Sequence, residues 1–163
     1  MFVYSVVLKK RGKKVILGII CFCVVFTIFL SFMLIMRKKN NEIFINNKYL
    51  DTKVNDIYDI KRIAEFFDYK AMESTMYSEN ITIPLYFNNT YMHYNDLQKD
   101  IGMDLSQYCG KKCKAYHFEA LQSDTENKEI MTLIVYENRL IGGDISQKQF
   151  DGNMKSLANN VED

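Results

Sequence analysis

Twenty-two consecutive residues, Val15 to Met36, carry no charge, and no other feature limits so strongly what the chain can fold into. As an α-helix the run is about 33 Å long, enough to cross a hydrocarbon core of about 30 Å. Inside lipid every backbone N–H and C=O needs a partner within the segment, so a helix is the workable conformation for one span. A buried helix of a soluble core is the alternative, but the run is too long and too sharply flanked by cations for it. A cleaved signal peptide has a shorter apolar stretch ending in small residues, whereas this run ends in "SFMLIMRKK". The residues before Cys21 and Cys23 are not the small ones of a lipoprotein signal. The expectation is a retained signal-anchor.

Orientation follows from the flanking cations. Lys9, Lys10, Arg11, Lys13 and Lys14 precede the span, and Arg37, Lys38 and Lys39 follow it. The excess before the span favours a cytoplasmic N-terminus, with residues 1–14 as a cytoplasmic basic segment and the rest of the chain extracytoplasmic. Charge sharpens this division. Eight of the 21 basic residues and none of the 20 acidic ones fall in residues 1–39, leaving 13 against 20, a net charge of −7, in residues 40–163. An acidic globule is repelled by polyphosphate, so nucleic acid is excluded as the expected partner.

Beyond the span, residues 37–55 are rich in Asn and Lys with one short apolar island, and read as a linker or stalk. Ile57, Ile60, Ile63, Ala64 and Phe67 recur at the spacing of one helix face, with Asn55 or Asp56 as N-cap. Residues 77–85 alternate as a strand that Pro84 ends. Phe87, Tyr91, Tyr94, Leu97 and Ile101 mark a second helix stopped by Gly102. Strands are expected at 112–121, 129–137 and, after a turn at Glu137-Asn138, through "RLIGG". The tail from Ser146 suggests a short helix around Met154 and Leu157, with 158–163 as a frayed end. The order predicts an α+β domain over 56–157, with helices packed on one face of an antiparallel sheet.

Four stretches taken together carry a resemblance: "MFVYSV", the basic-then-apolar anchor, "IPLYFNNTYMHYNDLQKDIGMDLSQYCGKK" and "LIVYENRLIGGDIS". The chain resembles the bacterial domain-of-unknown-function 4830 family, over the anchor and about residues 56–157. The resemblance implies a short, membrane-anchored protein of Gram-positive origin. It implies no activity and no catalytic residues. Family members tend to carry a Gly-Trp turn after the first helix; here the segment reads "FFDYKAMES", and the chain has no Trp.

Each constellation of candidate residues has a structural reading beside a chemical one. Gly142, Gly143 and Asp144 lack the spacing and lysine of a phosphate loop, and the Glu-Phe that follows Gly-Gly-Asp in cyclic-dinucleotide synthases is Ile145-Ser146 here. They are expected to end a strand in a turn or bulge, with Asp144 accepting backbone hydrogen bonds. Cys109 and Cys113 form a disulfide only if the chain turns at Gly110-Lys111; they match neither a C-x-x-C redox motif nor a zinc set. His93 and His117 lack a local nucleophile motif, and Tyr91 with Tyr94 reads as core rather than ligand platform. No metal and no cofactor is expected.

The expected function is therefore a non-catalytic binding, sensing or interaction domain held at the cell membrane. Its partners would be the bilayer and an envelope protein or the cell wall. The alternatives are an envelope hydrolase using Asp144 with His117 or a Tyr, which requires those side chains on one face, and a thiol switch at Cys109 and Cys113.

Overall fold

A computed structural model describes residues 10–39, 41–122, 128–147 and 154–158. The chain divides into two units, Met1–Asn40 and Asn41–Asp163. The first is helix α1, Lys10–Lys39. Within it Val15–Met36 is long and apolar enough to cross a membrane, and those side chains are exposed. The polar groups of the run are satisfied inside the helix, as a lipid environment demands: the Thr27 hydroxyl donates to the Val24 carbonyl (2.8 Å) and the Ser31 hydroxyl to that of Thr27 (2.9 Å).

The second unit is α+β and starts earlier than the composition suggests. The segment expected as a linker is a hairpin, β1 (Glu42–Ile45) and β2 (Lys48–Asp51). Its turn, Asn46-Asn47, has positive φ at both residues (46° and 59°), the geometry that matches strand twist and that Asn tolerates. Ile45 and Leu50, together with Val54 just beyond, enter the main core, so residues 41–55 belong to the globule. Helix α2 (Ile57–Phe66) then follows as expected, with the Asp56 carboxylate accepting from the Tyr58 and Asp59 N–H groups. Where relatives tend to carry Gly-Trp, this chain turns through Asp68 at φ 61°.

Strands β3 (Tyr69–Ala71) and β4 (Tyr77–Thr82) both pair with long strand β5 (Lys112–Gln122), one at each end. Strands β6 (Lys128–Tyr136) and β7 (Arg139–Gln147) complete an antiparallel sheet of five. The β6–β7 turn at Glu137-Asn138 is the expected one, with φ 47° and 62°. Helix α3 (Asn89–Lys99) is capped by the Asn88 side chain, which accepts from the Tyr91 N–H at 2.8 Å. Gly102, at φ 71°, follows it.

The helices do not share a face. Ile60, Ile63 and Ala64 of α2 pack in one cluster with Phe118, Met131, Leu133 and Ile145. Tyr91 and Tyr94 of α3 pack against a second cluster of Ile83, Leu105, Cys113, Ile134 and Ile141. Cross-strand partners share a face, and these two sets alternate along β5 and β6, so they lie on opposite sides of the sheet. The near-continuous apolar run "IMTLIV" is the sequence mark of a strand buried on both sides.

Residues 154–158 do not form the short helix expected near Met154 and Leu157. Lys155 instead makes a two-bond bridge to Ile145 (3.0 and 2.8 Å), extending the sheet past β7. Leu157 is fully buried in the main cluster. The connection at 123–127 and, apart from Ala158, the tail 158–163 lie outside the described residues, as do residues 1–9 of the basic segment.

Candidate functional site

The Gly-Gly-Asp sequence is not a strand-ending turn. Gly142, Gly143 and Asp144 lie inside β7, and the positive-φ turn sits at Glu137-Asn138. A register shift does fall beside them: Ile134 faces Gly142 and Val135 faces Leu140, so Ile141 is the extra residue of a bulge. Glycine is needed for close approach rather than for φ. A Cβ at Gly143 would stand 2.5 Å from the Thr132 carbonyl oxygen and 2.9 Å from Leu157, and one at Gly142 would stand 3.0 Å from Gln98 Oε1.

That space admits a buried polar clamp from α3. The Gly143 N–H donates to Gln98 Oε1 at 2.7 Å, and Gln98 Nε2 donates to the Tyr94 carbonyl at 3.2 Å. Asn95 Oδ1 accepts from the Leu105 N–H at 2.7 Å, and its Nδ2 donates to Asp104 at 2.9 Å. Asn95 and Gln98 are the buried residues of α3. The apolar periodicity placed the contact stripe at Tyr91, Tyr94 and Leu97, which are only half-buried. The Asp104 carboxyl, bonded by Asn95 and Ser106, is held down at about 2.

Beyond the clamp, one row of polar side chains crosses the sheet. Tyr77, His117, Thr132 and Asp144 are successive cross-strand partners on β4, β5, β6 and β7, so all four point to the face that α3 covers in part. The Tyr77 ring stacks on His117 at 4.9 Å. His117 Nδ1 lies 3.2 Å from the Thr132 hydroxyl, and Nε2 lies 3.3 Å from Glu79 Oε1. At the far end the Tyr94 hydroxyl donates to Asp144 Oδ1 at 2.7 Å. Asp144 is 3% exposed. Desolvation raises its carboxyl above the ordinary value, against the opposing pull of the Tyr94 hydrogen bond and of His117. Burial and the adjacent carboxylate raise the Tyr94 hydroxyl.

Asp144, His117 and Tyr94 thus share one face, as hydrolase chemistry requires, and the structure adds Glu79, Thr132 and Tyr77, which sequence patterning did not single out. A carboxylate–imidazole–hydroxyl chain in this order can activate a hydroxyl. An oxyanion would also need free N–H donors, yet Thr132 sits in the middle of β6, which pairs on both sides.

The thiols are free at Cys109 and at Cys113, so the disulfide considered from spacing is not formed. The turn it needs is present: Gly110 has φ 73°, and its N–H donates to the Ile83 carbonyl at 2.9 Å. Cys113 faces the second core cluster instead, and burial pushes its thiol up. Among the described residues no group of three or more His, Cys, Asp or Glu is placed to hold a metal ion.

A groove of about 650 Å³ opens at the β4–β5 end of the sheet beside the β6–β7 turn, lined by Asn55, Asn80, Lys112, Lys114, Tyr116 and Asn138 among others. Lys114 Nζ stands 5.8 Å over the Tyr116 ring.

The model of a domain of unknown function, DUF4830, matches residues 64–145. That span runs from the end of α2 to β7 and contains the clamp and the polar row. No curated protein and no solved structure matches the chain. The chain belongs to the DUF4830 family.

Proposed function

We propose that this is a single-pass membrane protein, N-terminus cytoplasmic, that displays a non-catalytic binding or interaction domain outside the cytoplasm. The observation that carries the reading is the pairing of an exposed, lipid-length apolar helix with a globule that keeps an open groove. The groove's volume falls in the range of small-ligand and peptide sites. Its lysines, amides and Tyr116 suit an anionic or polyhydroxylated envelope component, presented by a protein or by the cell wall.

Absence of catalysis is part of the proposal and is supported by the surroundings of the polar row. Asp144 and Tyr94 are committed to each other in the interior, and Thr132 lacks oxyanion donors from its own strand. A hydrolase remains the second reading because Glu79, His117 and Thr132 are linked. It requires ester or amide turnover that disappears in both His117→Ala and Thr132→Ala.

The test has two arms in cells that carry the full chain. External protease is expected to digest the C-terminal domain of intact cells; protection until lysis overturns the topology. A photo-crosslinking residue at Lys114 is expected to capture a partner that the same residue at Tyr58, on α2, does not. Equal capture at both positions, or none at the groove, overturns the binding assignment.

A further inference from the structure

The hairpin that replaces the expected linker carries an exposed aromatic pair with no use in the core. Phe44 and Tyr49 are direct cross-strand partners on its outer face. Their rings lie 4.9 Å apart, and they are 58% and 72% exposed. Ile45 and Leu50, which point to the other face, already anchor the hairpin. Two adjacent rings left in water give up several tens of Å² of favourable burial. Their place along the chain says what covers them. Seven residues, 37–43, separate Met36 from Phe44, so at most about 26 Å of chain lies between the end of the apolar span and the pair. The headgroup layer is about 5–8 Å deep, and aromatic side chains favour that layer because it is apolar on one side and wet on the other.

We propose that Phe44 and Tyr49 insert into the interfacial layer of the bilayer that holds the adjacent helix, docking the β1–β2 hairpin on the lipid surface. The proposal rests on the anchored reading. Docking is aromatic rather than electrostatic. The next cross-strand pair on the same outer face is Glu42 with Asp51, which an anionic surface would repel, so uncharged lipid suffices. A hairpin seated this way limits how the domain rotates about its tether and fixes which surfaces face away from the membrane.

The chain has no Trp, so one introduced Trp reports alone. The full chain is reconstituted in phosphatidylcholine vesicles with acyl chains brominated at a shallow or a deep position. Tyr49→Trp is expected to give blue-shifted emission quenched more by shallow than by deep bromine. Phe26→Trp, inside the span, is expected to show the reverse order. Phe44→Trp repeats the measurement from the other ring should Tyr49→Trp fail to fold. Water-like, unquenched emission at 49 and 44 with quenching at 26 overturns docking and leaves the anchor standing. Blue-shifted but unquenched emission at 49 means that protein covers the pair, and also overturns it. Loss of quenching at all three positions overturns docking together with the anchored reading.

Discussion

Gln98 Oε1 accepts the Gly143 N–H at 2.7 Å, so one amide side chain, 45 positions away in sequence, takes the place of a strand partner on the outer edge of β7. Two residues on, Lys155 serves the same edge through backbone bonds to Ile145. An open edge invites pairing with other chains, and here a side chain and a short tail segment close it. Gln98→Leu keeps the volume and removes the acceptor, leaving a buried N–H unpaired. The expected loss is about 1–3 kcal/mol, read from urea unfolding. A loss below about 0.5 kcal/mol would mean that water replaces the amide.

The two glycines differ in what opposes a methyl group. At Gly143 the nearest atom is the Thr132 backbone oxygen, 2.5 Å from the Cβ position, which cannot move without displacing β6. At Gly142 it is the end of the Gln98 side chain, at 3.0 Å. Gly143→Ala is therefore expected at the upper end of the ~1–3 kcal/mol typical of overpacking, and Gly142→Ala below it. Equal midpoints for the two variants in thermal unfolding would contradict this order.

Much of the fold is legible in residue patterns. Asp56 before an apolar stripe marks α2, Pro84 closes β4, and Glu137-Asn138 between two apolar runs marks the β6–β7 turn. Three features escape such reading for identifiable reasons. Asn46-Asn47 is a hairpin signal, but the flanking strands are four residues each and sit among polar neighbours, so periodicity has too little length to work on. Asn95 and Gln98 look like solvent-facing positions, because polarity alone does not say that a buried N–H awaits on another element. The row from Tyr77 to Asp144 is assembled by register across four strands, and a one-residue slip would turn each member to the opposite face.

The hairpin's place in the globule has a direct consequence for stability. Leu50 is 1% exposed in the main cluster. Leu50→Ala is expected to destabilise the domain by about 2–5 kcal/mol, as a core truncation does. A change under about 0.5 kcal/mol in chemical unfolding would restore the linker reading of residues 41–55.

Asp144 makes stability depend on pH with a definite sign. Burial raises its folded-state carboxyl above the unfolded value, so the native state keeps the proton to higher pH than the unfolded chain does. The group therefore costs stability as pH rises from the unfolded carboxylate value through the folded one, and acidification removes that cost. Asn keeps the shape and retains an oxygen to accept from the Tyr94 hydroxyl. Asp144→Asn is expected to be as stable as the parent or more so at pH 7. Its advantage should shrink toward zero as pH falls to the ordinary carboxylate range. Unfolding free energies of both proteins between pH 3 and 8 check this; an Asn variant weaker at pH 7 by a margin independent of pH would show that charge is not what Asp144 contributes.

The free thiols give the last test, because burial divides residues that sequence spacing pairs. Cys109 is half-exposed at the end of the 3-10 turn Leu105–Tyr108, whereas Cys113 lies in the second core cluster with its thiol pushed up by desolvation. Only the thiolate reacts with an alkylating reagent, so access and acidity both slow Cys113. Peptide mapping of the folded domain without reductant is expected to find Cys109 alkylated first and Cys113 lagging until denaturant is added. Both should then label completely. If neither residue labels until reductant is present, the two sulfurs are joined. The turn at Gly110 would then serve the disulfide, and Cys113 would have to leave its place beside Ile83, Leu105 and Ile134.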